Sequence, residues 1–186
     1  MLDLMTVIMW SITYILIIIA GFKSSKLKKV SMPYVAGVLN FSWEICAVIE
    51  SQGFWGHILW LLLDCVIVYW GISFLHTSKQ KVLYIASIII TTVVLYFLFQ
   101  LPSGMLITVF LIDLIMALCF IFEAKKLSKH FKTPIAVTKL LGDAFAGMAC
   151  INTSDLIVII AVLVFLCNLF YLSYCLEEKS NTLKKK

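Results

Sequence analysis

Seven apolar stretches run through this chain, at roughly 4–22, 31–50, 54–75, 82–100, 103–123, 134–152 and 155–176. Every basic residue is a lysine, and lysine fills every second gap between the stretches. Lys23, Lys26, Lys28 and Lys29 follow the first stretch, and Lys79 and Lys81 follow the third. Lys125, Lys126, Lys129 and Lys132 follow the fifth, and Lys179, Lys184, Lys185 and Lys186 end the chain. The gaps at 51–53, 101–102 and 152–154 contain no lysine. A polytopic membrane protein keeps its cationic loops on the cytosolic side. The alternation therefore predicts seven transmembrane helices with the N-terminus outside and the C-terminus cytosolic. A water-soluble fold gives no reason for it.

Composition agrees with this reading. The chain is 62% hydrophobic and 13% charged, with a mean hydropathy of +1.05, far from a soluble domain. Stretches of about 20 residues cross a hydrocarbon core of ~30 Å at 1.5 Å per residue. In lipid the backbone must satisfy itself, so the spans are read as helices of an all-α bundle. The expected layout is one domain, 1–178, with a lysine-rich cytosolic tail at 179–186. Asp3 precedes the first stretch with no lysine before it, unlike a cleaved signal peptide, so the first helix is expected to be retained. The expected partner is the lipid bilayer, and the net charge of +5 suits an anionic inner leaflet. Nucleic acid is not expected, because the lysines follow the loops.

The six cysteines, Cys46, Cys65, Cys119, Cys150, Cys167 and Cys175, read as small apolar packers. None forms a CxxC pair or stands at ligand spacing from a histidine, so neither metal nor cofactor is expected. Met32-Pro33-Tyr34 and Thr133-Pro134-Ile135 open the second and sixth stretches alike, each after a lysine-rich gap. Helices one to three and five to seven could then be parallel repeats, with the fourth as inverting spacer. Gly142, Ala144, Ala146, Gly147 and Ala149 let the sixth helix approach its neighbours closely, which places it at the bundle centre.

The ionisable residues inside the stretches carry what chemistry the sequence offers: Glu44, Asp64, Asp113, Asp143 and Lys139, with the amides Asn40 and Asn168. Each charge at mid-bilayer costs roughly 2.5–3.5 kcal/mol, so these groups should face inward, pair or stay neutral. Asn40 and Glu44 are four apart and share a helix face; so do Trp60 and Asp64, and Lys139 and Asp143. A polar, aromatic-lined chamber between helices two, three, six and seven is the expectation. Lys139 with Asp143 is read equally as a structural ion pair. A carboxyl withdrawn from water favours its protonated form and can serve as a general acid, and Glu44 is the first candidate.

The run Met32-Pro33-Tyr34-Val35-Ala36-Gly37-Val38-Leu39-Asn40-Phe41-Ser42-Trp43-Glu44 resembles the second helix of the membrane-bound terpene cyclases of fungal meroterpenoid and indole-diterpene pathways. Those seven-helix proteins carry an Asn-x-x-Trp-Glu signature there. Lys139-Leu140-Leu141-Gly142 is similar to a basic-x-x-Gly segment of their sixth helix, and the third helix with Tyr69 is similar too. The resemblance implies a metal-free cyclase that protonates an epoxide or alkene of a hydrophobic prenylated substrate. It implies Glu44 as the acid, held by Asn40 and Trp43. Tyr69, Trp60, Tyr171 and Tyr174 would offer aromatic faces to carbocations. The family's last helix has a second acid where this chain has Asn168, so Asp143 or Asp64 would take that part. Two other classes compete. One is a small-molecule carrier with a three-plus-one-plus-three helix layout, similar to SWEET or nicotinamide riboside transporters. The other is a non-catalytic membrane subunit or receptor.

Overall fold

In the computed structural model the described residues are 2–23, 32–124 and 132–183. They form seven α-helices and no strand: α1 (Leu2–Lys23), α2 (Met32–Glu50), α3 (Trp55–Phe74), α4 (Ser78–Phe99), α5 (Gly104–Glu123), α6 (Lys132–Ala149) and α7 (Asp155–Leu183). All except α6 are long and apolar enough to cross a membrane. The exception carries Lys139 and Asp143 within 18 residues. Apolar side chains also cover the outside: Ile89, Ile90, Val93, Val94 and Phe97 of α4 are all more than half exposed. A helix greasy on both faces is suited to lipid. Lys26, Lys28, Lys29, Lys125, Lys126, Lys129 and Lys184 to Lys186 lie outside the described residues.

Two helix ends differ from the sequence reading. The fourth helix begins at Ser78 rather than 82, because Thr77 and Gln80 form a capping box that satisfies the first turn. Lys79 and Lys81 are therefore helical. The seventh continues through 179 to Leu183 instead of ending at 176, since neither Gly nor Pro interrupts it.

The chain divides into two compact units. One contains α2, α3, α4 and α5 up to Ile112; the other contains α1, α6, α7 and α5 from Asp113. This division cuts through α5 and groups the helices by packing; it is separate from the repeat of helices one to three and five to seven expected from the sequence. In each unit one helix is the hub: α2 packs on α3 and α4, and α6 packs on α1 and α7. The two hubs are the two helices that open on Pro33 and Pro134.

Within the first unit, the turn after α2 takes left-handed backbone at Gln52 (φ 54°) and Gly53 (φ 83°). The Gly53 N–H donates to the Val48 carbonyl at 2.9 Å, which closes α2 and returns the chain into α3. Ser42 Oγ donates to the Ile88 carbonyl at 3.0 Å, and Cys46 Sγ to the Thr92 carbonyl at 3.5 Å. Equal steps of four on both helices mean that α2 and α4 run in the same direction. Tyr84 of α4 is a key between them. Its Oη would lie 1.9 Å from a Cβ at Gly37 of α2 and 2.6 Å from one at Gly71 of α3. Both positions therefore require glycine for this close approach.

Within the second unit, Gly142 plays the same part: a Cβ there would lie 2.9 Å from Trp10 Cδ1 of α1. Gly147 admits Ala161 of α7, at 3.5 Å from its Cβ position. The small residues of α6 do let both neighbours close in. Thr13 Oγ1 of α1 donates to Thr138 Oγ1 of α6 at 2.8 Å.

Candidate functional site

Glu44 stands on the inner face of hub helix α2 and is buried. The tight α2–α3 turn swings His57, two residues into α3, back against it. Glu44 Oε2 and His57 Nδ1 are 3.0 Å apart. One proton serves this contact: a protonated carboxyl donates to the bare ring nitrogen, or a protonated nitrogen donates to the carboxylate. Aromatic rings enclose the imidazole. Trp43 lies 5.4 Å from it, and Phe54 and Trp60 each 5.6 Å, all edge-on. Trp43 is itself fixed twice. Its indole Nε1 donates to Thr108 Oγ1 of α5 at 3.1 Å, and its ring meets Phe99 of α4 at 5.6 Å. Thr108 passes its own hydroxyl proton to the Gly104 carbonyl at 2.8 Å. The result is a carboxyl–imidazole dyad in an apolar, π-rich wall.

His57 was not among the sequence candidates. It is 13 residues from Glu44 and joins it only through the turn. The readable signal was the short gap at 51–53, which brings the end of one helix beside the start of the next. Of the candidates, Trp43 and Trp60 line the dyad. Asn40 sits one turn below Glu44, half-buried. Asp64 is fully buried on α3. Tyr69 is 68% exposed. The buried stripe of α3 runs through Asp64, Ile67, Trp70 and Gly71. Tyr69, two residues beyond Ile67, is turned about 200° away from it.

Lys139, Asp143 and Asn168 form a second polar cluster in the other unit. Lys139 Nζ donates to Asp143 Oδ2 at 2.9 Å along α6, and both are buried. Asn168 Nδ2 of α7 donates to the same oxygen. The Lys139 ammonium lies 4.5 Å from the Trp10 ring centroid of α1, a cation–π contact. Asp143 is thus tied to a cation and an amide. Tyr171 is wholly buried, 5.3 Å from Phe120 of α5. Each of these two clusters is built inside its own unit. Among the described residues, no group of three or more His, Cys, Asp or Glu could hold a metal ion. The chain matches no family model, no curated protein and no solved structure.

Proposed function

We propose that this chain is an integral, multi-pass membrane protein. It has seven spans, with the N-terminus outside and the C-terminus cytosolic, and carries a metal-free acid–base site of terpene cyclase type. The observation that carries the reading is the Glu44–His57 dyad: a buried carboxyl hydrogen-bonded to an imidazole, walled by Trp43, Phe54 and Trp60. Such a site lends a proton to an epoxide oxygen or an alkene carbon of a lipid-soluble prenylated molecule. Ring closure proceeds through cations that aromatic faces stabilise. Loss of a proton from the last cation returns it to the dyad, so the reaction is an isomerisation with no net consumption of acid. Trp43 and Trp60 hold the wall, and Asn40 supports Glu44 from one turn below. Asp143, bound to Lys139 and Asn168, serves structure rather than proton donation. The lysine pattern supports the orientation, with α6 inserting as a paired rather than a purely apolar helix.

A second reading is a carrier. It is favoured by the division into two compact units, each centred on a proline-opened helix. The deciding experiment is purified protein in nanodiscs, incubated with epoxyprenyl aromatic substrates and followed by chromatography and mass spectrometry. Wild type is expected to give cyclic isomers of unchanged mass. Glu44→Gln should give none, and His57→Gln a reduced yield. Identical product profiles for wild type and Glu44→Gln would end the cyclase reading. Solute uptake by proteoliposomes without cyclisation would replace it with the carrier.

A further inference from the structure

Beyond the dyad, the α2–α3–α4 unit contains further proton-bearing groups, and they follow one another along α2. His57 and Glu44 mark one level at the α2–α3 turn. Further down, a Cβ at Gly37 of α2 would meet Val68 of α3 and the Tyr84 hydroxyl of α4. Between these two levels Asn40 on α2 and Asp64 on α3 come to the same height. Asp64 is fully buried and lies within electrostatic reach of the Tyr84 phenol. Tyr84 is 7% exposed, and its Oη has no hydrogen-bond partner among the described residues. Tyr34 stands edge-on to Tyr84 at 6.1 Å and is half-buried, near the end of α2 opposite the α2–α3 turn. From Tyr34 to Glu44 the line covers about 15 Å at 1.5 Å per residue, and α2 continues six residues beyond Glu44 to the turn that leads to His57.

Its burial is also graded along that line. The interior members, Glu44, Asp64 and Tyr84, are all buried. The end members are partly open: the His57 side chain is 12% exposed, and Tyr34 is half-buried. A structural polar cluster needs only mutual satisfaction. A relay needs groups that both accept and release protons, stacked across the membrane, with access at each end. Carboxyl, imidazole and phenol all do both. Small gaps between such groups are bridged by water that makes two to four hydrogen bonds.

We propose that α2, α3 and α4 enclose a proton-conducting track, from His57 and Glu44 at one end through Asp64 to Tyr84 and Tyr34 at the other. In each step one N–H or O–H bond breaks as the next forms. One proton enters at one end, and one leaves at the other. The inference does not rest on cyclase chemistry, and it holds or fails whether or not a cyclic product is found.

The test uses the full chain in liposomes with a trapped pH dye, under a potassium diffusion potential set by valinomycin. Wild type is expected to change the internal pH when valinomycin is added, and protein-free liposomes are not. Asp64→Asn should lose this flux, Asp64→Glu should keep it, and Tyr84→Phe should slow it. Tyr96→Phe, exposed on α4, should conduct as wild type. Helicity and elution volume report whether each variant folds. If Asp64→Asn does not fold, Tyr84→Phe against Asp64→Glu decides the matter. Folded wild type no faster than empty liposomes overturns the track. So does a folded Asp64→Asn or Tyr84→Phe that conducts at the wild-type rate.

Discussion

The Lys139–Asp143 pair gives the sharpest energetic prediction. Both side chains are buried, and the ammonium meets the carboxylate at 2.9 Å. At that separation and an effective dielectric of ~20, the gross attraction is about 6 kcal/mol, most of it offset by the cost of withdrawing two charges from water. What remains large is the cost of breaking one side. Lys139→Met leaves Asp143 buried with the Asn168 amide and the Trp10 side chain but no cation. Asp143→Asn leaves a buried ammonium facing an amide and the Trp10 ring. Each should cost about 3–5 kcal/mol. The double variant Lys139→Met/Asp143→Asn buries no charge and sets two amides, at 143 and Asn168, side by side. It should cost only about 1–2 kcal/mol, with a coupling energy of about 4–9 kcal/mol. The assay is equilibrium unfolding in mixed micelles of dodecyl sulfate and a mild detergent, followed by far-ultraviolet circular dichroism across all four proteins. Single variants that each cost less than about 0.5 kcal/mol, adding simply in the double, would refute the reasoning.

Two more predictions concern the packing around the dyad. Gly37→Ala places a methyl 1.9 Å from Tyr84 Oη but 3.2 Å from its Cζ, so it should destabilise by about 1–3 kcal/mol and be largely rescued by Tyr84→Phe. Gly71→Ala, which also presses on Cζ at 2.9 Å, should be rescued less; equal rescue at both glycines in the same unfolding assay would contradict this geometry. Trp43→Phe and Thr108→Val each break the 3.1 Å indole–hydroxyl bond, so each should cost about 1 kcal/mol and the double little more than either alone. Full additivity would mean that the bond does not fix Trp43.

How far the sequence could be read depends on the range of each interaction. The helices were legible because an apolar length of about 20 residues is a property of a single segment. Only their ends shifted, where Thr77 and Gln80 cap α4 and where nothing stops α7 before Leu183. The Lys139–Asp143 pair was legible because four residues along a helix fix a neighbour whatever else the chain does. His57 was harder, since its meeting with Glu44 depends on left-handed backbone at Gln52 and Gly53, and only Gly53 signals that conformation. The exposure of Tyr69 was hidden for a related reason. In a helix that is apolar all round, periodicity does not mark the buried face, and α3 has the same chemistry on its lipid side as inside. Tyr84 was missed because its role lies in two glycines 34 residues apart on other helices, a match of shape that carries no chemical signature.

The grouping into units also bears on how such a chain keeps charges in an apolar interior. Each hub helix holds a buried carboxyl, and in each case the next helix along the chain supplies a partner. Glu44 of α2 meets His57 of α3, 13 residues on; Asp143 of α6 meets Asn168 of α7, 25 residues on. Short turns join both pairs of helices, so the partner arrives as soon as the hairpin closes, before any more distant helix is needed. Loop closure over so few residues carries little entropy cost compared with recruiting a remote segment. The alternative, a carboxyl waiting in lipid for a distant partner, would carry a penalty of about 2.5–3.5 kcal/mol throughout assembly. Asp143 has the longer wait, and it is the one with a cation on its own helix. Lys139 provides interim pairing inside α6; on the proposed seven-span reading, the pair offsets the lower apolarity of this helix compared with the other six. On this argument, moving Lys139 one position along α6 would impair membrane insertion more than it would impair the packing of helices already inserted.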